Sequence, residues 1–308
     1  MEIALQFVLL ALGFVMLAKG ADWFVEGAAG IAMRFGIPQL VIGLTIVAMG
    51  TSAPEAAVSI AAAVKGNADI TIGNIVGSNI LNILVILGLA ASIVPIAVAR
   101  STVRIEIPFM IGVTALLFYQ GRDGSISLAD GGVLMVAFAV YMMYLYTMAM
   151  KSNVDSDLEE PGLPLGRCLL GAVGGLALII AGSNVTVGAA TSIATYAGLS
   201  ERFIGLTIVA LGTSLPELFT SVAAARRGNA DIAIGNIVGS NIFNILFVVG
   251  LSALIIDIPF ASAFNFDTYV ALGAAVLLWL CVLRTQRLQR WAGALMLVCY
   301  AAYLGYIL

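Results

Sequence analysis

Long apolar runs alternate along this chain with short polar breaks. The runs fall near residues 3–33, 38–64, 70–96, 104–120 and 127–150, then near 165–196, 201–225, 232–256, 268–283 and 290–308. About 20 apolar residues suffice for one helical crossing of a bilayer, so the pattern predicts ten spanning helices. The one plainly polar segment, "KSNVDSDLEEPGLP" (151–164), divides them into five over residues 1–150 and five over 165–308. The expected fold is an all-α integral membrane protein of ten transmembrane helices.

The two sets are copies of one another. Residues 41–89 align with 203–251 at a constant offset of 162, without a gap and with 35 identities over 49 positions. Upstream the likeness is weaker, "GADWFVEGAAGIA" (20–32) facing "GSNVTVGAATSIA" (182–194), and downstream only hydropathy is shared. Five helices per copy is an odd number, so the second copy must enter the membrane from the opposite side, an inverted repeat.

Composition changes the picture little. The chain is 61% hydrophobic and 10% charged, too few charges to cover a water-soluble surface. Their placement is informative. With the N-terminus outside, one side holds Arg34, Arg100, Arg104, Lys151, Arg167, Arg226, Arg227, Arg284, Arg287 and Arg290, and the other only Lys65, Arg122 and Arg202. The positive-inside rule then puts the linker in the cytoplasm and both termini outside. The first apolar run has no basic residue before it and reads as a helix to be kept, not as a cleaved signal. Cys168, Cys281 and Cys299 are scattered singly, and histidine is absent. The commonest general base and transition-metal ligand is therefore missing.

Two polar motifs interrupt the apolar runs. "GTSAPE" (50–55) returns as "GTSLPE" (212–217). Thr51 and Glu55 stand four apart on one helical face with Ser52 beside them. Pro54 lacks an N–H and clashes with the turn before it, so the backbone around 48–51 is expected to open. Glu55, the hydroxyls and freed carbonyls are hard oxygen ligands suited to Na⁺, Ca²⁺ or Mg²⁺. On the next helix Ser78 and Asn82 share a face, and Gly73 with Gly77 predicts close packing that draws them towards Glu55. Thr213, Ser214, Glu217, Gly235, Gly239, Ser240 and Asn244 repeat these elements. Asp69 and Asp231 read as helix caps, and Lys19, Asp22 and Glu26 on the first helix as a structural pair or the mouth of a cavity. A glutamate in a membrane helix costs several kcal/mol unless a proton or cation neutralises it, and neither motif has a Lys or Arg at its depth.

The doubled "GTSAPE"/"GTSLPE" and "GNIVGSNILN"/"GNIVGSNIFN" resemble the α-repeats of the cation/calcium antiporter superfamily, in particular the prokaryotic sodium/calcium exchangers, over essentially the whole chain. The resemblance implies alternating access at a central cluster of cation sites, with the long first and sixth helices sliding across the rest. It implies that Glu55 and Glu217 ligate Ca²⁺ and share Na⁺. It implies backbone ligands at Thr51, Thr213, Ala48 and Ala210, central hydroxyls at Ser52 and Ser214, and outer Na⁺ sites at Ser78 and Ser240. Asn82 and Asn244 would complete the centre. Some relatives, potassium-dependent ones included, carry Asp at one of these last positions, and the pair of Asn here argues against a K⁺ requirement.

The function expected is antiport of Na⁺ against Ca²⁺, electrogenic if the family's three-for-one exchange holds. Coupling to H⁺ or K⁺, or movement of Mg²⁺, stays open on the same scaffold. An intramembrane hydrolase would need a nucleophile with its base, or an Asp pair, and neither is evident. A channel would leave the doubled motif without a reason. No catalytic residue, cofactor, nucleic acid or protein partner is implied, only the two ions and the lipid bilayer. With no targeting segment or large regulatory loop, a prokaryotic inner membrane is expected.

Overall fold

The computed structural model describes residues 2–66, 68–151, 163–198 and 210–307. The described residues are helical apart from two short strand pairs and the turns between elements. The first half runs Glu2–Arg34, a bent pair Gln39–Thr51 and Ala53–Val64, then Asp69–Leu81 continuing through Asn82–Leu87 and Gly88–Ile93. Thr102–Glu106 leads into Ile107–Gln120, and Leu128–Lys151 closes the half. The second half runs Leu165–Tyr196, Ala210–Thr213 with Leu215–Arg226, Ala230–Phe243 through Asn244–Val249 to Gly250–Ile255, Ala263–Leu283 and Arg290–Ile307. Among the described residues eight helices are long and apolar enough to cross a membrane, and the bent pair makes a ninth. The chain is an all-α multi-pass membrane protein. The run expected over 201–225 is described only from Ala210 on, and most of the 151–164 linker, with its acidic run, lies outside the described residues.

The repeat goes further in structure than in sequence. Leu128 and Arg290 begin helices 162 residues apart, and their sequences share only apolarity. The strands behave likewise. Ile96–Ala97 pairs antiparallel with Arg287–Leu288, and Ser125–Ile126 with Ile258–Pro259. Ile96 and Ile258 are one offset apart, as are Ile126 and Leu288, so each half lends the other the same strand. The pairs flank the helix of residues 102–120 and therefore lie at its opposite ends.

Burial sorts the helices into a centre and a rim. The helices of residues 70–93 and 230–255 are mostly enclosed by protein, whereas those of 3–34, 128–151 and 290–307 are mostly uncovered. The rim carries the large exposed apolar side chains, among them Phe7, Val8, Val136 and Val298, as lipid contact requires. Small residues let the centre close up. A Cβ on Gly239 would come within 2.8 Å of the Leu44 backbone, and one on Gly235 within 3.1 Å of Gly43. This close packing joins one half to the other, whereas a Cβ at Gly77 would meet no described neighbour within 4 Å. Packing within the first half at Gly77, as expected from sequence, is therefore not what the described residues display.

The two longest helices, Glu2–Arg34 and Leu165–Tyr196, pack along one another. At 33 and 32 residues they reach about 50 Å, more than a hydrocarbon core needs, so they must tilt. At their crossing a Cβ on Gly20 would lie 2.9 Å from the Gly175 carbonyl, and one on Gly175 would lie 2.5 Å from the Phe24 nitrogen. Asp22 and Glu26 on the first helix bind Arg227, both at 3.2 Å. The expected pairing with Lys19 gives way to a partner from the other half, because the C-terminal end of the helix Leu215–Arg226 brings the Arg227 guanidinium against that face. Asp231 sits in the first turn of its helix but does not cap it. Asn229 holds the cap position, with no side-chain cap bond.

Candidate functional site

Both motifs break their helices at the serine. Ser52 has φ −82° and ψ 6°, Ser214 φ −90° and ψ 4°, and the helix of the first motif bends by 51° there. The proline falls in the first turn of the following helix, where a missing N–H costs nothing. Ala48–Thr51 stays helical, and the Ser52 N–H still reaches the Ala48 carbonyl at 3.0 Å. The opening expected over 48–51 is thus a single-residue hinge at Ser52. Wider turns appear upstream at Gly43–Val47, and Asn82 and Asn244 each open a π-helical segment of six residues. Such turns cluster at functional sites because they leave backbone groups off the regular ladder.

The hinges put Glu55 and Glu217 in the first turns of Ala53–Val64 and Leu215–Arg226, where a helix N-terminus favours a carboxylate. Both are 1% exposed. Ser52 Oγ donates to Glu217 Oε1 at 2.8 Å, and Ser214 Oγ to Glu55 Oε1 at 3.5 Å. Each half's serine thus holds the other half's glutamate. Thr213 lies beside Glu55 and Thr51 beside Glu217. Thr51 Oγ1 also reaches the Val47 carbonyl at 3.1 Å and Asn236 Oδ1 at 3.0 Å. Ser240 donates to the Ala48 carbonyl at 3.3 Å, so that oxygen faces the centre. Ser78 is buried, and Ala210 opens the helix Ala210–Thr213.

Asn82 and Asn244 cross over. The turn that starts at Asn82 packs on Leu215–Arg226, and the one at Asn244 on Ala53–Val64. Sequence placed Asn82 near Glu55, but the structure sets it against the helix of Glu217, since the central helices interlock between halves. Among the described residues, Glu55 Oε2, Glu217 Oε2, Asn82 Oδ1 and Asn244 Oδ1 are buried without a hydrogen-bond partner. The described ion pairs are those of Arg227 alone, and none reaches either glutamate. These four orphaned acceptors, two of them carboxylate oxygens, are answered by no positive side chain among the described residues. An unpaired buried acceptor costs about 1–3 kcal/mol, more when charged. Hard cations of the Na⁺ or Ca²⁺ kind are what such an oxygen set suits.

Known proteins match this chain over nearly its whole length. The family described as "Sodium/calcium exchanger protein" matches residues 5–147 and 168–308. The chain belongs to that family. It is thereby a member of the cation/calcium antiporter superfamily, and cation/Ca²⁺ antiport is the family's activity. The putative antiporter CaxA of Alkalimonas amylolytica is 40% identical, with 98% of each chain covered. The sodium/calcium exchanger MaX1 of Methanosarcina acetivorans is 33% identical, again with 98% of each covered. Among solved structures, the sodium-calcium exchanger NCX_Mj soaked with Na⁺ and Sr²⁺ superposes with a TM-score of 0.86 at 34% identity, covering 98% of this chain and 99% of its own.

In this family member, the polar centre extends beyond the candidate site residues, to Asn74 one turn before Ser78 on the same face and to others. Asn74 donates to the Glu55 carbonyl at 3.2 Å and to Ser59 Oγ at 2.9 Å. Asn236 does the same to the Glu217 carbonyl at 3.4 Å and Ser221 Oγ at 2.9 Å. Asn79 and Asn241 hold the amides of Asn244 and Asn82 at 3.1 and 2.9 Å. The signal for all of these was present. Each is a polar side chain inside an apolar helix, repeated at the offset of 162.

Proposed function

We propose that the chain is a secondary antiporter that exchanges Na⁺ for Ca²⁺ by alternating access, built as ten spanning helices in two inverted repeats. The inversion is supported by the strand pairs: the equivalent residues Ile96 and Ile258 belong to pairs at opposite ends of one helix. A half turned over relative to its copy has that property. In this reading the linker is cytoplasmic, both termini are outside, and the host membrane is a prokaryotic plasma membrane.

Glu55 and Glu217 carry the cation charge through their free Oε2 atoms. Asn82 and Asn244 contribute amide oxygens, Thr51, Thr213, Ala48 and Ala210 backbone oxygens, and Ser52 and Ser214 hydroxyls. Ser78 and Ser240 serve outlying Na⁺ positions. One Ca²⁺ neutralises two glutamates, whereas three Na⁺ leave one positive charge. Occupancy by either ion excludes the other from the same oxygens, and that competition couples the fluxes. Electrogenic exchange follows from the difference in net charge.

The observation that carries this reading is the reciprocal bonding of Ser52 to Glu217 and Ser214 to Glu55, which leaves one oxygen of each buried carboxylate without a partner. The test is Ca²⁺ uptake into proteoliposomes driven by an outward Na⁺ gradient. Glu55→Gln and Glu217→Gln are each expected to abolish it. Full uptake in either variant, or uptake driven equally by a proton or K⁺ gradient without Na⁺, would overturn the assignment.

A further inference from the structure

A third buried carboxylate lies outside the central cluster. Glu106 is 0% exposed and closes the π-helical segment Thr102–Glu106. Tyr144 donates its hydroxyl to Glu106 Oε1. Glu106 Oε2, Thr102 Oγ1 and the Tyr141 hydroxyl are buried with no hydrogen-bond partner among the described residues. Thr102 stands four residues before Glu106 and so shares its face. Tyr141 and Tyr144 come from Leu128–Lys151 with ring centroids 6.4 Å apart. No described ion pair involves Glu106. The other acid whose charge reaches Glu106 is Asp231, on the helix Ala230–Phe243 and only partly buried.

The arrangement belongs to one half alone. At the offset of 162 the second half has Thr268, whose hydroxyl bonds its own Phe264 carbonyl at 2.7 Å inside the regular helix Ala263–Leu283. Acid and π turn are therefore local to the first half and not imposed by the repeat. A proton on Oε2 adds a single donor and so can pair with only one of the Thr102 and Tyr141 oxygens. A monovalent cation there answers one negative charge and accepts both hydroxyl oxygens as neutral ligands, and the π turn frees backbone oxygen beside it.

We propose that Glu106, Thr102 and Tyr141 hold a single Na⁺ distinct from the exchanged ions, tying the helix of residues 102–120 to Leu128–Lys151. The inference goes beyond the exchange reading and does not depend on it.

The experiment is equilibrium binding of radioactive Na⁺ to the purified full-length chain under saturating Ca²⁺, which clears Na⁺ from the central glutamates. One Na⁺ per chain is expected to persist, and to be lost in Glu106→Gln. Thr102→Val and Tyr141→Phe keep the shape and remove one oxygen each, so each is expected to weaken retention about tenfold, the size of one hydrogen-bond-strength contact. The Glu55→Gln, Glu217→Gln double variant should retain this Na⁺ without Ca²⁺ and so separates the two sites. No retained Na⁺ in the wild-type chain overturns the proposal, as does retention indifferent to Glu106→Gln. Thermal stabilisation by acid in choline chloride equal to that by NaCl would assign the position to a proton and also overturn it.

Discussion

Asn79 and Asn241 hold one another by the same bond run in both directions, each side-chain amide donating to the other's backbone carbonyl at 3.2 Å. They are one repeat offset apart, so each touches its own copy. Equivalent residues meet in this way at the axis that relates two halves. From this pair the amides of Asn82 and Asn244 are held, and their free carbonyls are aimed by it.

Asn79→Leu removes the donor to Asn241 and the acceptor of Asn244 together. Each stranded buried group costs about 1–3 kcal/mol, so a clear fall in unfolding temperature is expected in detergent. Ca²⁺ binding should weaken as well, because Asn244 loses its orientation. A variant that melts with the wild type contradicts this role.

Ser52→Ala frees Glu217 to turn away from the cluster. Removing a group that orients a metal-binding carboxylate typically costs 10–100-fold in metal affinity, so a loss of at least about tenfold in apparent Ca²⁺ affinity is expected by isothermal titration. Ser214→Ala should cost less, since its bond to Glu55 is 3.5 Å against 2.8 Å. The reverse order of severity would count against the geometry.

Membrane voltage should act on the exchange. With one net charge moved per cycle, about 2.3 kcal/mol per 100 mV is available, an equilibrium shift of roughly 50-fold. Na⁺-driven Ca²⁺ uptake into liposomes should therefore rise when valinomycin and K⁺ set the interior positive and fall when they set it negative. Equal uptake at both potentials would mean that charge is balanced.

Gly20→Leu places a side chain where even a Cβ comes within 2.9 Å of the Gly175 carbonyl. The crossing of Glu2–Arg34 and Leu165–Tyr196 must widen, and transport is expected to fall below about a tenth of wild type. The glutamate cluster lies on other helices, so Ca²⁺ binding to purified protein should survive. Loss of both together would place the crossing's role in folding.

Much of this was legible before any coordinates. Apolar runs of helical length match the described spans within a few residues, and Glu55, Glu217 and their serines and threonines stood out as polar groups where lipid allows none. Partners across the repeat were not legible. Spacing along one helix places Ser78 and Asn82 on a common face, but which helix that face meets depends on packing between halves, decided by Gly43, Gly235 and Gly239. The same interlocking sends Asn82 to the helix of Glu217 and Arg227 to Asp22. Asn79 escaped for a different reason: it lies one residue from Ser78, on a face that counting by fours passes over. Glu106 has no copy at the offset of 162, where Thr268 stands, so the doubling that marks the other polar groups does not mark it.

The exchanged strands at residues 96–97 and 258–259 make neither half a finished object. Severed from its sister, a half would bare a ribbon edge, an amide with nowhere to donate and a serine reaching for a missing acid. Two identical halves, mutually inverted, would meet every one of those needs. The architecture is therefore one that two copies of a single half could assemble between them.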